Sequence, residues 1–333
     1  MKFKTLLALL FVLGLFLSAC TPTATPTASQ KLTVVTTVSP ITNIIYNIGG
    51  DHIALTGIIP EGSDSHTFEP APSDAKILAR ADLVFVNGLK LEEPTLQMAE
   101  ANKKAGAEIV LLGEQTLTPD EYIYDFSFPK ENGSPNPHLW MNPLNALRYA
   151  EIAKEALSRR DPANADYYAK NYAAFKARLE ALDQAIQATV ATIPPENRKL
   201  LTYHDSFAYF APRYGLTVIG AIQPSDFAEP SAQEVAAMIT QIREEKVPAI
   251  FGSEVFPSPI LEQIGRESGA QYVDTLRDDD LPGQPGEATH SYLGLVAGDV
   301  ATMAKALGGD PSKISGFDTA NVPGLDSSVT QQP

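Results

Sequence analysis

The chain has 333 residues, 25 Lys and Arg against 40 Asp and Glu, a formal net charge of −15 and one cysteine. A surface this negative repels nucleic acid and anionic lipid and suits a protein that handles cations. Ordinary apolar content over such a length exceeds what a single core holds, so two domains are expected.

The first residues define a compartment. Lys2 and Lys4 precede an apolar run from Leu6 to Leu17, which is too short to span a bilayer, and Leu17-Ser18-Ala19-Cys20 follows. Residues 1–19 are therefore expected to be a lipoprotein signal peptide, with Cys20 as the lipid anchor of the mature chain. A lipidated Cys20 leaves no thiol for disulfides, metal ligation or catalysis. Residues 20–30, ending in TPTATPTASQ, have no capacity to bury a core and form an extended tether. The expected location is extracytoplasmic, on the membrane but not through it.

From Leu32 onward, short β-branched runs alternate with helical patterns. Leu32–Val38, Ala54–Ile59, Leu83–Val86 and Ile109–Leu112 read as buried strands, with helices over Ser73–Ala81 and Pro94–Ala105. Pro143–Arg160 is a helix that Asp161-Pro162 ends. Asn164–Thr192 then runs without Gly or Pro, with Tyr168, Tyr172, Phe175, Leu179, Leu182 and Ile186 at helical spacing. Such a helix spans roughly 40 Å and can act as a spine. A second set of strands follows at Lys199–Tyr203, Leu216–Ile222, Ala249–Phe251 and Gln271–Val273, and Ser231 to Glu234 forms a capping box. The predicted fold is α/β: two lobes, each a largely parallel sheet with flanking helices, joined by a long spine helix. The boundaries are an N-terminal lobe at 31–163, the linking helix at 164–192, a C-terminal lobe at 193–309 and a polar tail at 310–333. The lobes are expected to meet through few contacts.

Three of the five histidines sit in loops at strand ends or helix starts: His66, His138 and His204. Each comes from a separate loop. His52 and His290 read as structural or exposed. A fourth candidate is the acid run Asp278-Asp279-Asp280 after the last strand, where Asp279 is the favoured position and Asp278, Asp280 and Asp274 are alternatives. Ligands of open parallel sheets bind beyond the carboxyl ends of the strands. Two histidines from one lobe, with a histidine and an aspartate from the other, can close a tetrahedral N3O metal site in the interlobe cleft. Such a site is expected to lose metal as pH falls through the ordinary imidazole pKa of ~6.5.

The motifs around these residues have a family resemblance. Pro60 to Pro70 (PEGSDSHTFEP), Pro137 to Pro143 (PHLWMNP), His204 to Phe210 (HDSFAYF), Gly220 to Pro224 (GAIQP) and Ser291-Tyr292 occur in an order that resembles the cluster A-I zinc and manganese substrate-binding proteins of ABC importers. The resemblance runs from about Leu32 to Gly309. It implies a receptor, not an enzyme, whose metal ligands are His66, His138, His204 and an aspartate, with Asp279 matching the family pattern Leu-x-x-Asp-x-Leu. It implies an importer's membrane permease as partner, and a monomer is expected. Manganese-selective relatives tend to carry a carboxylate where this chain has His204, and manganese prefers more oxygen ligands, so zinc is the expected substrate and manganese the alternative. The long loop Gly113–Asn136 departs from many zinc members in having no histidine.

Two other classes bear comparison. An extracytoplasmic zinc hydrolase would leave one coordination position open and use Asp205 or Glu254 as a base, but no HExxH, nucleophile motif or phosphate loop supports it. A surface adhesin has neither repeats nor a long exposed apolar stretch behind it.

Overall fold

The computed structural model describes residues 31–223, 225, 229–255 and 259–322. The signal peptide 1–19, Cys20, the tether to Gln30, Pro224 of the GAIQP motif and residues 323–333 of the tail lie outside the described residues.

Eight described strands form two four-stranded sheets in which every pairing is parallel. The first contains β1 (Leu32–Thr36), β2 (Ile53–Gly57), β3 (Leu83–Val86) and β4 (Glu108–Leu111) in the order β2-β1-β3-β4. The second contains β5 (Lys199–Thr202), β6 (Thr217–Ala221), β7 (Ala249–Ser253) and β8 (Gln271–Leu276) in the order β6-β5-β7-β8. The same order is thus repeated. Central strands covered on both faces need continuous apolar runs, and all four residues of β3, LVFV, are buried.

Side-chain alternation divides the core. Val34, Phe85, Leu200 and Phe251 point into one apolar cluster that runs through both halves and includes Phe175, Leu179 and Tyr292. Their chain neighbours Val35, Val84, Leu201 and Ile250 fill two smaller clusters, one for each sheet. The expectation of lobes meeting through few contacts is therefore corrected: they share a core. Helix Ser39–Gly49, buried at every residue, packs against Tyr292–Ala306 from the second half. The Tyr292 backbone N–H donates to Asn43 Oδ1 at 2.9 Å.

The spine helix, Ala165–Val190, is pinned to both halves. Its buried residues Tyr168, Phe175, Leu179, Leu182 and Ile186 form one stripe. Asn171 Nδ2 donates to the Ile48 carbonyl at 3.0 Å in the first half. Asp183 accepts from Arg213 Nε and Nη2 at 2.6 and 2.7 Å, and from the Tyr214 hydroxyl at 2.7 Å, in the second. Residues 310–322 of the expected polar tail pack back on the body: Asn321 Oδ1 accepts from Asn43 and Asn47, and Val322 is buried.

Phe175 is fully buried in the shared cluster. Phe175→Ala is expected to lower unfolding free energy by about 3–5 kcal/mol in urea titrations, whereas Lys176→Ala on the exposed side should stay within about 0.5 kcal/mol of the parent.

Candidate metal centre

The centre is built at the carboxyl ends of the strands. His66 lies in the loop after β2, where Gly62 adopts a left-handed turn (φ +79°) and Asp64 Oδ1 accepts from the His66 N–H at 2.9 Å. His204 follows β5, its carbonyl held by Thr202 Oγ1 at 2.7 Å. His138 precedes the short turn Leu139–Met141, which leads into helix Pro143–Arg160, capped by Asn142. From these three loops the imidazoles converge, with one nitrogen of each within 4.8 Å of the other two. His138 Nε2 is 3.1 Å from His66 Nε2 and 3.3 Å from His204 Nε2. Nitrogens bound at ~2.0–2.1 Å to one tetrahedral ion stand about 3.3 Å apart, so His138 stands from each of the other two at the spacing of a shared cation.

The acid beside them is Asp278, one of the alternatives to the favoured Asp279. Asp278 Oδ2 is 2.8 Å from His204 Nε2 and 3.5 Å from His138 Nε2. The Asp279 carboxylate points to the first half, accepting from the Ser65 N–H and Oγ, each at 2.9 Å. Asp280 accepts from the Gly62 N–H at 2.8 and 3.0 Å. One buried side chain sets this register: Glu254 Oε1 accepts from the backbone N–H groups of Asp278, Asp279 and Asp280 at 3.0, 3.2 and 3.1 Å. Asp274, on strand β8, is absent from this cluster. His52 stacks on Tyr167, and His290 lies 3.6 Å from Glu61, so neither joins the three.

Asn136 fixes the His138 tautomer. Its Nδ2 donates to Asp125 Oδ2 at 2.7 Å and to the Asp205 carbonyl at 2.6 Å. Its Oδ1 must therefore accept, and it takes the His138 N–H and Nδ1–H, both at 2.9 Å. The proton sits on Nδ1 and the Nε2 lone pair faces the cluster, the arrangement a ligating imidazole requires. Sequence reasoning passed over Asn136, Ser65 and Asp125. The first is adjacent to a motif histidine and carries some signal, whereas Ser65 and Asp125 have meaning only in three dimensions.

Electrostatics divides the histidines. Burial, then His204, holds His66 well below the usual imidazole range, and burial with both neighbours does the same for His138. For His204, burial works downward, but Asp278 outweighs it and pushes the ring up to about 9. The His204–Asp278 pair therefore keeps a proton at neutral pH. Its contribution to the metal-free fold is full below the unfolded value of ~6.5 and is lost as pH rises through about 9. Burial and then Asp278 raise Asp279 well above the carboxylate range and Glu254 to about 8.

A two-lobed α/β body with three imidazoles and an acid converging at its strand ends defines a substrate-binding receptor for a metal ion. A family model described as "ZnuA: Zinc-uptake complex component A periplasmic" matches residues 34–306. Iron-binding protein YfeA of Yersinia pestis is 33% identical over 280 residues, covering 84% of this chain and 88% of that protein. The metal ABC transporter substrate-binding lipoprotein SloC of Streptococcus mutans is 31% identical over 91% of this chain and 97% of its own. The manganese ABC transporter substrate-binding lipoprotein PsaA of Streptococcus pneumoniae is 30% identical over 92% and 99%. The periplasmic zinc binding protein TroA of Treponema pallidum superposes with a TM-score of 0.75 and 26% identity, over 84% of this chain and 99% of that structure. The chain belongs to this family of metal ABC-importer receptors and is not an enzyme. Its partners by class are a metal ion and a membrane permease.

Removing the amide that holds His138 should weaken metal binding without unfolding the chain. Asn136→Ala is expected to lower metal affinity by about 10–100-fold in chelator competition, with the circular dichroism spectrum retained.

Proposed function

We propose that this receptor captures zinc outside the cytoplasmic membrane through His66, His138, His204 and Asp278, and delivers it to the importer's permease. The observation that carries this reading is the convergence of three imidazole nitrogens with one carboxylate oxygen, a nitrogen-rich set that suits zinc over manganese. Its likeness to TroA, a periplasmic zinc binding protein, supports it. Manganese is the second reading, favoured by the 30% identity to a lipoprotein named for that metal. The sequence Leu17-Ser18-Ala19-Cys20 supports a lipid anchor at Cys20, and among the described residues no helix is long and apolar enough to cross a membrane. The receptor acts as a monomer, tethered through residues 20–30.

Capture is an exchange of a proton for a metal ion. The cation takes the place of the proton shared by His204 and Asp278, while His66 and His138 are already neutral and ready to bind. Delivery then requires loop movement, because Asp279 and Asp280 of one half hold Ser65 and Gly62 of the other.

The ligand set is tested by calorimetric zinc titration of alanine variants. His138→Ala and Asp278→Ala should each lose orders of magnitude in affinity, and Asp279→Ala should lose less. Full affinity in Asp278→Ala together with a large loss in Asp279→Ala would overturn the assignment. Competition between zinc and manganese for the metal-free chain decides between the two cations.

Proton release is a separate expected outcome. Titrations at neutral pH in buffers of differing ionisation enthalpy should report about one proton lost per zinc bound, from His204. Affinity should keep rising with pH until about 9. A flat affinity between neutral pH and that value would remove the ion pair from the mechanism.

A further inference from the structure

A second cavity lies beside the metal centre, on the far side of Asn136. Its volume is about 550 Å³, and Ile123, Phe126, Pro212 and Leu216 contribute apolar walls. Two carboxylate residues, Asp125 and Asp205, belong to the same lining, and no Lys, Arg or His does. Asp205 is 1% exposed. Phe126 stands at the rim at 57% exposure, an exposed large apolar side chain in an otherwise well-buried set. Asp125 and Asp205 border an apolar space whose wall has no basic residue, and a cation there offsets the cost of burying the two acids. A bare metal ion would need several more oxygen ligands than this wall offers. A cavity of this size and mixed lining suits an organic ligand.

We propose that this cavity binds an organic ammonium or guanidinium group carried on an apolar body. The charged end meets Asp125 and Asp205, and the apolar body lies along Ile123, Phe126 and Leu216. Both carboxylates have capacity for it. Asp125 accepts from the Ser127 and Phe128 N–H groups and from Asn136, and Asp205 Oδ1 accepts from the Phe207 N–H, which together leave lone pairs unused on the two groups.

The cavity is wired to the metal centre. Asp125 Oδ2 holds Asn136 Nδ2 at 2.7 Å, and Asn136 Oδ1 holds His138 Nδ1 at 2.9 Å. A cation drawn to Asp125 competes with Asn136 for that oxygen and loosens His138. Coupling between two bound ligands is reciprocal, so metal in the centre weakens the organic cation by the same factor. The coupling rests on the proposed ligand set, whereas the binding site itself does not.

The test uses the full chain and two probes of equal shape, 2-phenylethylammonium and neutral 2-phenylethanol, followed by ligand-observed NMR and calorimetry. In the metal-free chain the ammonium should bind at least about tenfold more tightly than the alcohol. Thr217→Arg, at an exposed lining position, places a tethered guanidinium in the cavity and should abolish ammonium binding, while Thr217→Gln should retain it and report that the fold is intact. Equal affinity for the two probes, or no ammonium binding at tens of millimolar, overturns the site. Both remaining affinity ranges uphold it and identify the source: micromolar binding marks a free amine as the ligand, and millimolar binding marks a basic side chain presented by a protein partner. Loading with zinc should weaken the ammonium by about threefold or more. An unchanged affinity overturns the coupling and leaves the metal reading untouched.

Discussion

Asp278 is 2% exposed, and a carboxylate buried that far has to be matched by positive charge. Much of the local architecture follows from that requirement. His204 is drawn to 2.8 Å and kept protonated, and the three consecutive amides of the acid run are gathered under Glu254 so that only one of three aspartates faces the imidazoles. The other two are directed outward to the loop that carries His66. A single buried glutamate thus sets the register of the acid and, through Asp279 and Asp280, the position of a histidine from the opposite half.

Around this centre the two halves are joined by far more than a hinge. The spine helix is tied to the first half by Asn171 and to the second by Asp183, and the apolar core runs through both. On the proposed delivery, the ion is admitted and released by movement of the loops, which are held by a few hydrogen bonds to carboxylates. Those bonds can break without exposing the core, so exchange does not threaten the fold.

Much of this was legible in the sequence. Two sets of β-branched runs around a long stretch free of Gly and Pro gave the two sheets and the spine, because buried parallel strands and long helices leave strong periodic signals. His66 and His138 stood out because each sits in a proline-marked loop, and His204 because it directly follows a strand. The acid run was legible, but not which of its members faces the imidazoles. Asp278, Asp279 and Asp280 are chemically identical, and their directions depend on amide contacts to Glu254, more than twenty positions away. Asn136 was passed over for a related reason: its amide gains meaning only when Asp125, Asp205 and His138 surround it. The shared core was missed because periodicity shows which face of an element is buried but not which element covers it.

The repeated strand order has a consequence for affinity. Each sheet, taken alone, reverses direction between its first and third strands in chain order and opens one crevice there. On the proposed ligand set, the first half supplies two donors, His66 and His138, and the second supplies His204 and Asp278. Either half alone is an ordinary two-armed chelator of modest strength. Fixed face to face on one rigid frame, each pair presents itself to an ion held by the other at a very high effective concentration, with little entropy left to lose. Tight capture is then a property of how the two halves are joined, and a shift of one ångström in that join would weaken it without altering any ligand.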